Sequence, residues 1–181
     1  MVIELDAAVL EWILRARDPA WDTFFTTITV LGSAISVFLM GGVAIAWSLA
    51  RRRTHDAAMI LGVLASGWIL MWVLKVILRR ERPDPDVAIV EATSFAFPSG
   101  HAMMSSMLAL VLAATVIQSR MAWPLLALLP VVVGASRVYL GVHWATDVLA
   151  GWFIGILWAC ACLMLCAALR PTVPTQQQLR R

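Results

Sequence analysis

A chain of 181 residues that is 61% hydrophobic and only 14% charged, with a mean hydropathy of +0.85, is far more apolar than a soluble domain, where about 45–50% apolar and about 25% charged residues are usual. That balance excludes a disordered tail, a fibrous repeat and an ordinary soluble enzyme, and leaves an integral membrane protein. The net charge of +3 is no nucleic-acid footprint, because the basic residues stand at the ends of apolar windows and form no single patch.

In residues 1–22, Val2, Ile3, Leu5, Val9, Leu10, Trp12, Ile13 and Leu14 alternate with Glu4, Asp6, Glu11, Arg15 and Arg17 at roughly helical spacing. No basic stretch precedes an apolar one, as a cleaved signal requires. The segment reads as an amphipathic helix lying in the membrane interface, with a short, tilted sixth span as the alternative. Beyond it, windows free of Asp, Glu, Lys and Arg run over 23–50, 57–74, 92–119, 121–136 and 148–169. A spanning helix needs about 20 mostly apolar residues, with a range of about 17–25, and four windows meet it. The fifth, 121–136, carries Pro124, Pro130 and Gly134; it is short but too apolar for water, and a Pro-bent span is tolerated inside a bundle. The expected fold is therefore all-α: a polytopic transmembrane bundle of five spanning helices plus the N-terminal amphipathic helix. Residues 1–170 form one domain, and 171–181 form a short cytoplasmic tail without regular structure.

If the windows alternate in direction, Arg51, Arg52, Arg53, Arg120, Arg170, Arg180 and Arg181 share one side with a single acid, Asp56, and every other acidic residue lies opposite. The positive-inside rule makes the arginine side cytoplasmic. Arg15, Arg17, Arg79, Arg80, Arg82 and Arg137 break the pattern from the far side, a conflict that disappears if some of them bind an anion. Cys160, Cys162 and Cys166, all in the last window, lack zinc-motif spacing and read as small hydrophobes. Many of the nine tryptophans fall near window ends, as interfacial anchors do. His55, in the Arg-rich turn, takes no catalytic part.

The chemistry collects on the far side, where three polar segments return. In the first, Lys75 to Pro83, a lysine stands at the apolar end of the second span, where a cation is costly and usually functional. Arg82 follows seven positions later, about two helical turns or roughly 10.5 Å along the same face, so both cations can address one ligand if the helix end bends toward it. Pro83 and Pro85 then stop the helix. The second segment, Phe97-Pro98-Ser99-Gly100-His101, reads as a helix start. Ser99 can cap, Gly100 lets a ligand approach the backbone, and the free N–H groups and helix dipole favour an anion beside His101. The third runs from Ser136 to Asp147. His143 and Asp147 are spaced i,i+4 and share a face on a continuing helix. A carboxylate there fixes the tautomer and leaves the other ring nitrogen as nucleophile or base. Arg137 supplies a planar fork suited to phosphate oxygens. Three cations, a helix N-terminus and two histidines fit phosphoryl transfer, whose catalysis is largely positioning and charge stabilisation. With no carboxylate cluster for magnesium and a poor donor set for zinc, the chemistry is expected to need no metal and no cofactor.

K-x6-RP (Lys75, Arg82, Pro83), PSGH (Pro98 to His101) and SR-x5-H-x3-D (Ser136, Arg137, His143, Asp147) resemble the three-part signature of the type 2 phosphatidic acid phosphatase superfamily, over 75–147. The resemblance implies a helical bundle, usually of six helices, with its site facing the periplasm or lumen. It implies that His143 attacks phosphorus to give a phosphohistidine and that Asp147 orients and charges it. His101 would protonate the leaving alkoxide and later activate water, while Lys75, Arg82, Ser99, Gly100 and Arg137 would hold the phosphate oxygens. The sequence departs from the family at the N-terminus, where a full first helix is doubtful.

The leading function is thus a lipid phosphate phosphatase in the inner (plasma) membrane, with its site on the external face and the bilayer and a lipid phosphate as its partners. The compact chain leans toward a polyprenyl diphosphate such as undecaprenyl diphosphate; phosphatidic acid or phosphatidylglycerol phosphate is the alternative. The single Lys among 14 basic residues points to a GC-rich prokaryotic genome. A different class, a non-enzymatic membrane protein that binds or transports phosphate, would use the same cations but has no need of a His–Asp pair. A vanadium haloperoxidase shares a similar anion site but is not this hydrophobic. The residues leave the physiological lipid and the oligomeric state open.

Overall fold

The structure, a computed structural model, describes residues 2–117 and 119–169; the expected tail, 171–181, lies outside the described residues. They fold into helices α1 (Val2–Ala16), α2 (Pro19–Thr29), α3 (Ala34–Ala50), α4 (Thr54–Leu78), α5 (Gly100–Thr115), α6 (Trp123–Tyr139) and α7 (Ala145–Ala168), with single 3-10 turns at Val30–Gly32, Pro85–Val87 and Arg120–Ala122. No strand occurs among the described residues, and the all-α transmembrane bundle expected from the apolar windows is the fold observed.

Three stretches are long and apolar enough to cross a membrane: α4, the run Arg120–Tyr139 that contains α6, and α7. The window 23–50 is not one helix. α2 and α3 meet at a bend of 49°, because Ser33 leaves the helical conformation and its hydroxyl accepts the backbone N–H of Ser36 at 3.2 Å, starting a new helix. Asp18 caps α2 in the same way, ahead of Pro19 at the first helical position. The bend brings Gly32 against α5 and α6: a side chain there would collide with Val133 of α6 and crowd His101 of α5.

α5 is the central pillar and packs against α3, α4, α6 and α7. Its Met103, Met104, Met107 and Leu108 are buried against Ile60, Val63 and Leu64 of α4. Gly151 and Gly155 let α7 approach to within 2.8 Å and 2.5 Å, from the position of an added Cβ, of the carbonyls of Ser99 and Met103, the small-residue contact typical of helices packed in lipid. α1 lies against α6 and α7, where Val9 and Ile13 pack on Ala102, Val138 and Val148.

Two local expectations change. α4 stops at Leu78, because Arg79 adopts the left-handed conformation (φ 44°) and its N–H turns back to Lys75; Arg82 therefore reaches the site from a loop rather than from the helix face of Lys75. Some tryptophans are interior fasteners as well as anchors: Trp152 Nε1 donates to Pro130 O at 2.8 Å, and Trp158 Nε1 to Ser66 Oγ at 3.0 Å. The three cysteines are free and partly buried. His55 sits at the start of α4, at the end opposite the polar segments.

Candidate active site

The connection after α4, the start of α5, the end of α6 and the turn before α7 meet around a pocket of about 230 Å³. Lys75, Arg82, Gly100, His101, Arg137 and His143 all face it, so the three segments separated in sequence converge on one volume. Trp68, Met71 and Trp72 of α4 form its apolar flank.

Lys75 is only 3% exposed, and its Nζ donates to Phe95 O. Arg82 donates through Nε to Ser94 O at 2.6 Å and through Nη2 to Ser94 Oγ at 3.2 Å. Its Nη1 donates to Val142 O at 2.5 Å and stands 3.2 Å from His143 Nε2. Burial disfavours its charge and lowers its pKa, against the pull of Asp147. Arg137, in the last turn of α6, donates through Nη1 to Thr29 Oγ1 at 2.9 Å. Segment 94–95 thus lends its carbonyls to both Lys75 and Arg82.

Ser99 occupies the N-cap position of α5 but makes no side-chain cap, contrary to expectation. Its backbone opens the helix and ties it to α7: Ser99 O accepts from Met103 N at 3.0 Å, and Ser99 N donates to Asp147 O at 3.0 Å. The hydroxyl of Ser99 and Nε of Arg137 are buried without a hydrogen-bond partner among the described residues. Unpaired buried donors are costly; Arg137 lines the pocket, where its idle donor favours an acceptor-rich ligand, whereas Ser99 is not among the lining residues and sits behind Gly100.

His143 precedes α7 instead of lying on it, yet its Nδ1 is 3.4 Å from Asp147 Oδ2. Asp147, in the first turn of α7, is fully buried; its Oδ2 also accepts Trp144 N at 2.9 Å. Burial, then the positive charges of Arg82, Arg137 and Lys75, hold the His143 imidazole well below its ordinary pKa, so the ring is neutral. With the proton on Nδ1 directed at Asp147, the Nε2 lone pair faces the pocket wall at Arg82 and accepts from its Nη1 at 3.2 Å.

Sequence reasoning missed the other side of that carboxylate. Arg80 Nη1 donates to Asp147 Oδ1 at 2.5 Å and to Thr146 Oγ1 at 2.7 Å, while Arg80 Nη2 donates to Asp6 Oδ2 at 2.6 Å. Asp6 in turn accepts Thr146 N at 3.0 Å and the Thr146 hydroxyl. A signal existed: Asp6 shares a face with Leu10 and Ile13 at i, i+4 and i+7, an acid on the apolar stripe of an amphipathic helix. The excess arginines of this side also have partners. Arg15 pairs with Glu11 at 3.0 Å, and Arg17 donates to Tyr139 O and Val87 O at 2.7 Å each.

Comparison with known proteins places the chain in a family. The family model described as PAP2 superfamily matches residues 56–170. Phosphatidylglycerophosphatase B of Bacillus subtilis (strain 168) is 35% identical over 162 residues, covering 84% of this chain and 78% of the relative. An undecaprenyl-diphosphatase of Sulfolobus acidocaldarius is 44% identical over 63 residues, 35% of this chain and 30% of the relative. The crystal structure of a transmembrane PAP2 type phosphatidylglycerolphosphate phosphatase from Bacillus subtilis superposes with a TM-score of 0.85 at 30% identity, over 95% of this chain and 89% of that one. The chain therefore belongs to the PAP2 superfamily, as one of its membrane lipid phosphatases.

Proposed function

We propose that this phosphatase hydrolyses the phosphate monoester of a glycerophospholipid, phosphatidylglycerol phosphate, through a phosphohistidine on His143. The observation that carries the chemistry is the buried, neutral His143, with Asp147 on Nδ1 and Nε2 facing a pocket that three cations share. The substrate class is favoured by the relative that matches over most of the chain, phosphatidylglycerophosphatase B. The sequence's lean toward undecaprenyl diphosphate has narrower support, since the relative of that name matches over only 35% of the chain; it remains the second reading.

In the reaction, phosphate oxygens displace the carbonyls of residues 94–95 from Lys75 and Arg82 and engage Arg137 Nε, Ser99 Oγ and the backbone at Gly100. The incoming phosphate dianion offsets the cations around His101, which takes up a proton with it. His143 Nε2 attacks phosphorus in line, the P–N bond forms, the ester P–O bond breaks, and the charged His101 gives that proton to the leaving alkoxide. Asp147 stabilises the positive charge on the imidazole. Water, deprotonated by His101, then attacks phosphorus; the P–N bond breaks and inorganic phosphate leaves. Three cations repel a metal ion and supply the charge it would bring, so turnover is expected to proceed in EDTA. The site opens on the external face of the inner (plasma) membrane, opposite the Arg51–Arg53 turn, and 1–170 acts as one domain.

Phosphate release by the purified protein tests this directly, comparing phosphatidylglycerol phosphate, phosphatidic acid, undecaprenyl diphosphate and a soluble phosphoester. The expected order places phosphatidylglycerol phosphate first in kcat/KM; a clear preference for undecaprenyl diphosphate would establish the second reading.

A further inference from the structure

The His143–Asp147 pair does not end at Asp147. From Asp147 Oδ1 a continuous polar chain runs through Arg80 to Asp6 and Thr146, so the catalytic carboxylate is tied to α1, an element outside the matched family region of 56–170. Asp6 is 1% exposed and Asp147 fully buried. Neither acid touches the phosphate pocket, and Arg80 does not line it either.

We infer that Asp6 and Arg80 are positioning residues for the His143–Asp147 pair, with α1 serving as the arm that holds them; the inference rests on the nucleophile role given to His143. The reasoning is one of geometry and charge. A carboxylate has two oxygens, and orienting it toward an imidazole requires the other to be held. Arg80 holds Oδ1 from the side away from the pocket, which leaves Oδ2 for Trp144 N and His143 Nδ1. A lone arginine would also neutralise Asp147, weakening its hold on the positive imidazole that forms on phosphoryl transfer. Asp6 counters this by sharing the guanidinium: a sequence of negative, positive and negative groups leaves the triad one net negative charge, directed at His143. Thr146 fixes the register by donating its N–H and hydroxyl to Asp6 and accepting from Arg80. The guanidinium also lies 5.7 Å from the Trp144 ring centroid, and Trp144 Nε1 donates to Glu81 O at 3.0 Å, which closes the chain from above. Groups that hydrogen-bond to metal-ligating residues typically change activity by about 10–100-fold, and a loss of the same order is expected here.

The test is steady-state kinetics of the full-length protein in detergent micelles with phosphatidylglycerol phosphate, together with competitive inhibition by inorganic phosphate. Asp6→Asn is expected to lower kcat about 10–100-fold while leaving KM and the phosphate inhibition constant unchanged, because the phosphate-binding groups are untouched. Asp6→Glu is expected to recover part of the loss. Because Asp6 acts through Arg80, adding Asp6→Asn to Arg80→Gln should cost no more than Arg80→Gln alone. A chain that only glued α1 to the bundle would behave otherwise: phosphate-binding sites per chain and melting temperature would fall in step with kcat, and the two substitutions would add. Either result, or wild-type kcat in Asp6→Asn, overturns the inference. Should Asp6→Asn fail to fold, Thr146→Val removes one hydroxyl from the same chain, and the same kcat-only loss, smaller in size, is expected; an unchanged kcat overturns the inference. His143→Ala serves as the separate control: near-normal turnover there would sink the nucleophile assignment itself, whatever Asp6 does.

Discussion

The two ends of the bundle both gather arginines, and they use them in opposite ways. At the end opposite the pocket, Arg51 and Arg52 are exposed and Arg53 is half-buried. Arg51 and Arg53 lie over the Trp47 ring at 5.4 Å and 5.7 Å, and Arg53 pairs with Asp56 at 2.6 Å. Water and headgroups can screen these charges, so they bear on orientation in the membrane rather than on any single ligand. At the pocket end, Lys75 and Arg137 are buried, their nearest protein partners are neutral oxygens, and Arg137 keeps a donor unpaired. Desolvation raises the worth of every charge it spares from water. The same residue type is therefore solvated and paired at one end, and buried with donors to spare at the other.

Substitutions can break or sharpen that contrast. The largest effect is expected for His143→Ala, which removes the nucleophile and should reduce turnover of phosphatidylglycerol phosphate by about 1,000-fold or more with the micellar protein still folded. Arg137→Ala comes next, at about 100–1,000-fold in kcat/KM, read in the same assay. A smaller effect concerns stability. Because the folded state holds His143 neutral at a pKa well below its ordinary 6.5, the unfolded chain takes up the extra proton as pH falls, and stability is lost on acidification. Between about pH 6.5 and pH 5.5 that loss is about 1 kcal/mol. His143→Gln should flatten this part of the melting-temperature profile; an unchanged slope would mean that the ring titrates alike in the folded and unfolded chains. The smallest effect is expected at the other end: Arg53→Ala should leave kcat unchanged and shift stability by no more than about 0.5 kcal/mol. A large kinetic effect there would erase the distinction between the two ends.

The residues that gather at the pocket were legible because their chemistry is written in side-chain type and short spacing. Lys75 at an apolar boundary, the Ser99-Gly100-His101 helix start and the His143–Asp147 interval each carry a local reason to be noticed. What could not be read depends on the backbone or on distant pairing. The break after Leu78 is made by Arg79 in a left-handed conformation that glycine or asparagine usually signals, so Arg82 was expected on a helix it does not occupy. The carbonyls of 94–95 belong to no residue type in particular. Arg80 meets Asp6 across 74 positions and Asp6 meets Thr146 across 140, so no window contains the pair. The apolar windows gave the bundle, but the bend at Ser33 rests on one hydroxyl inside a 28-residue run without a charge.

The carbonyls resting on Lys75 and Arg82 have a consequence for selectivity among small competitors. A newcomer must trade places with peptide oxygens that already satisfy those cations, and a neutral or singly charged group gains little in the exchange. A doubly charged tetrahedral group gains from three cations at once and also reaches the idle donors of Ser99 and Arg137. On the proposed reading, discrimination at this rim is expected to go by valence before shape: sulfonates and lipid phosphodiesters should compete weakly, and freed orthophosphate most strongly.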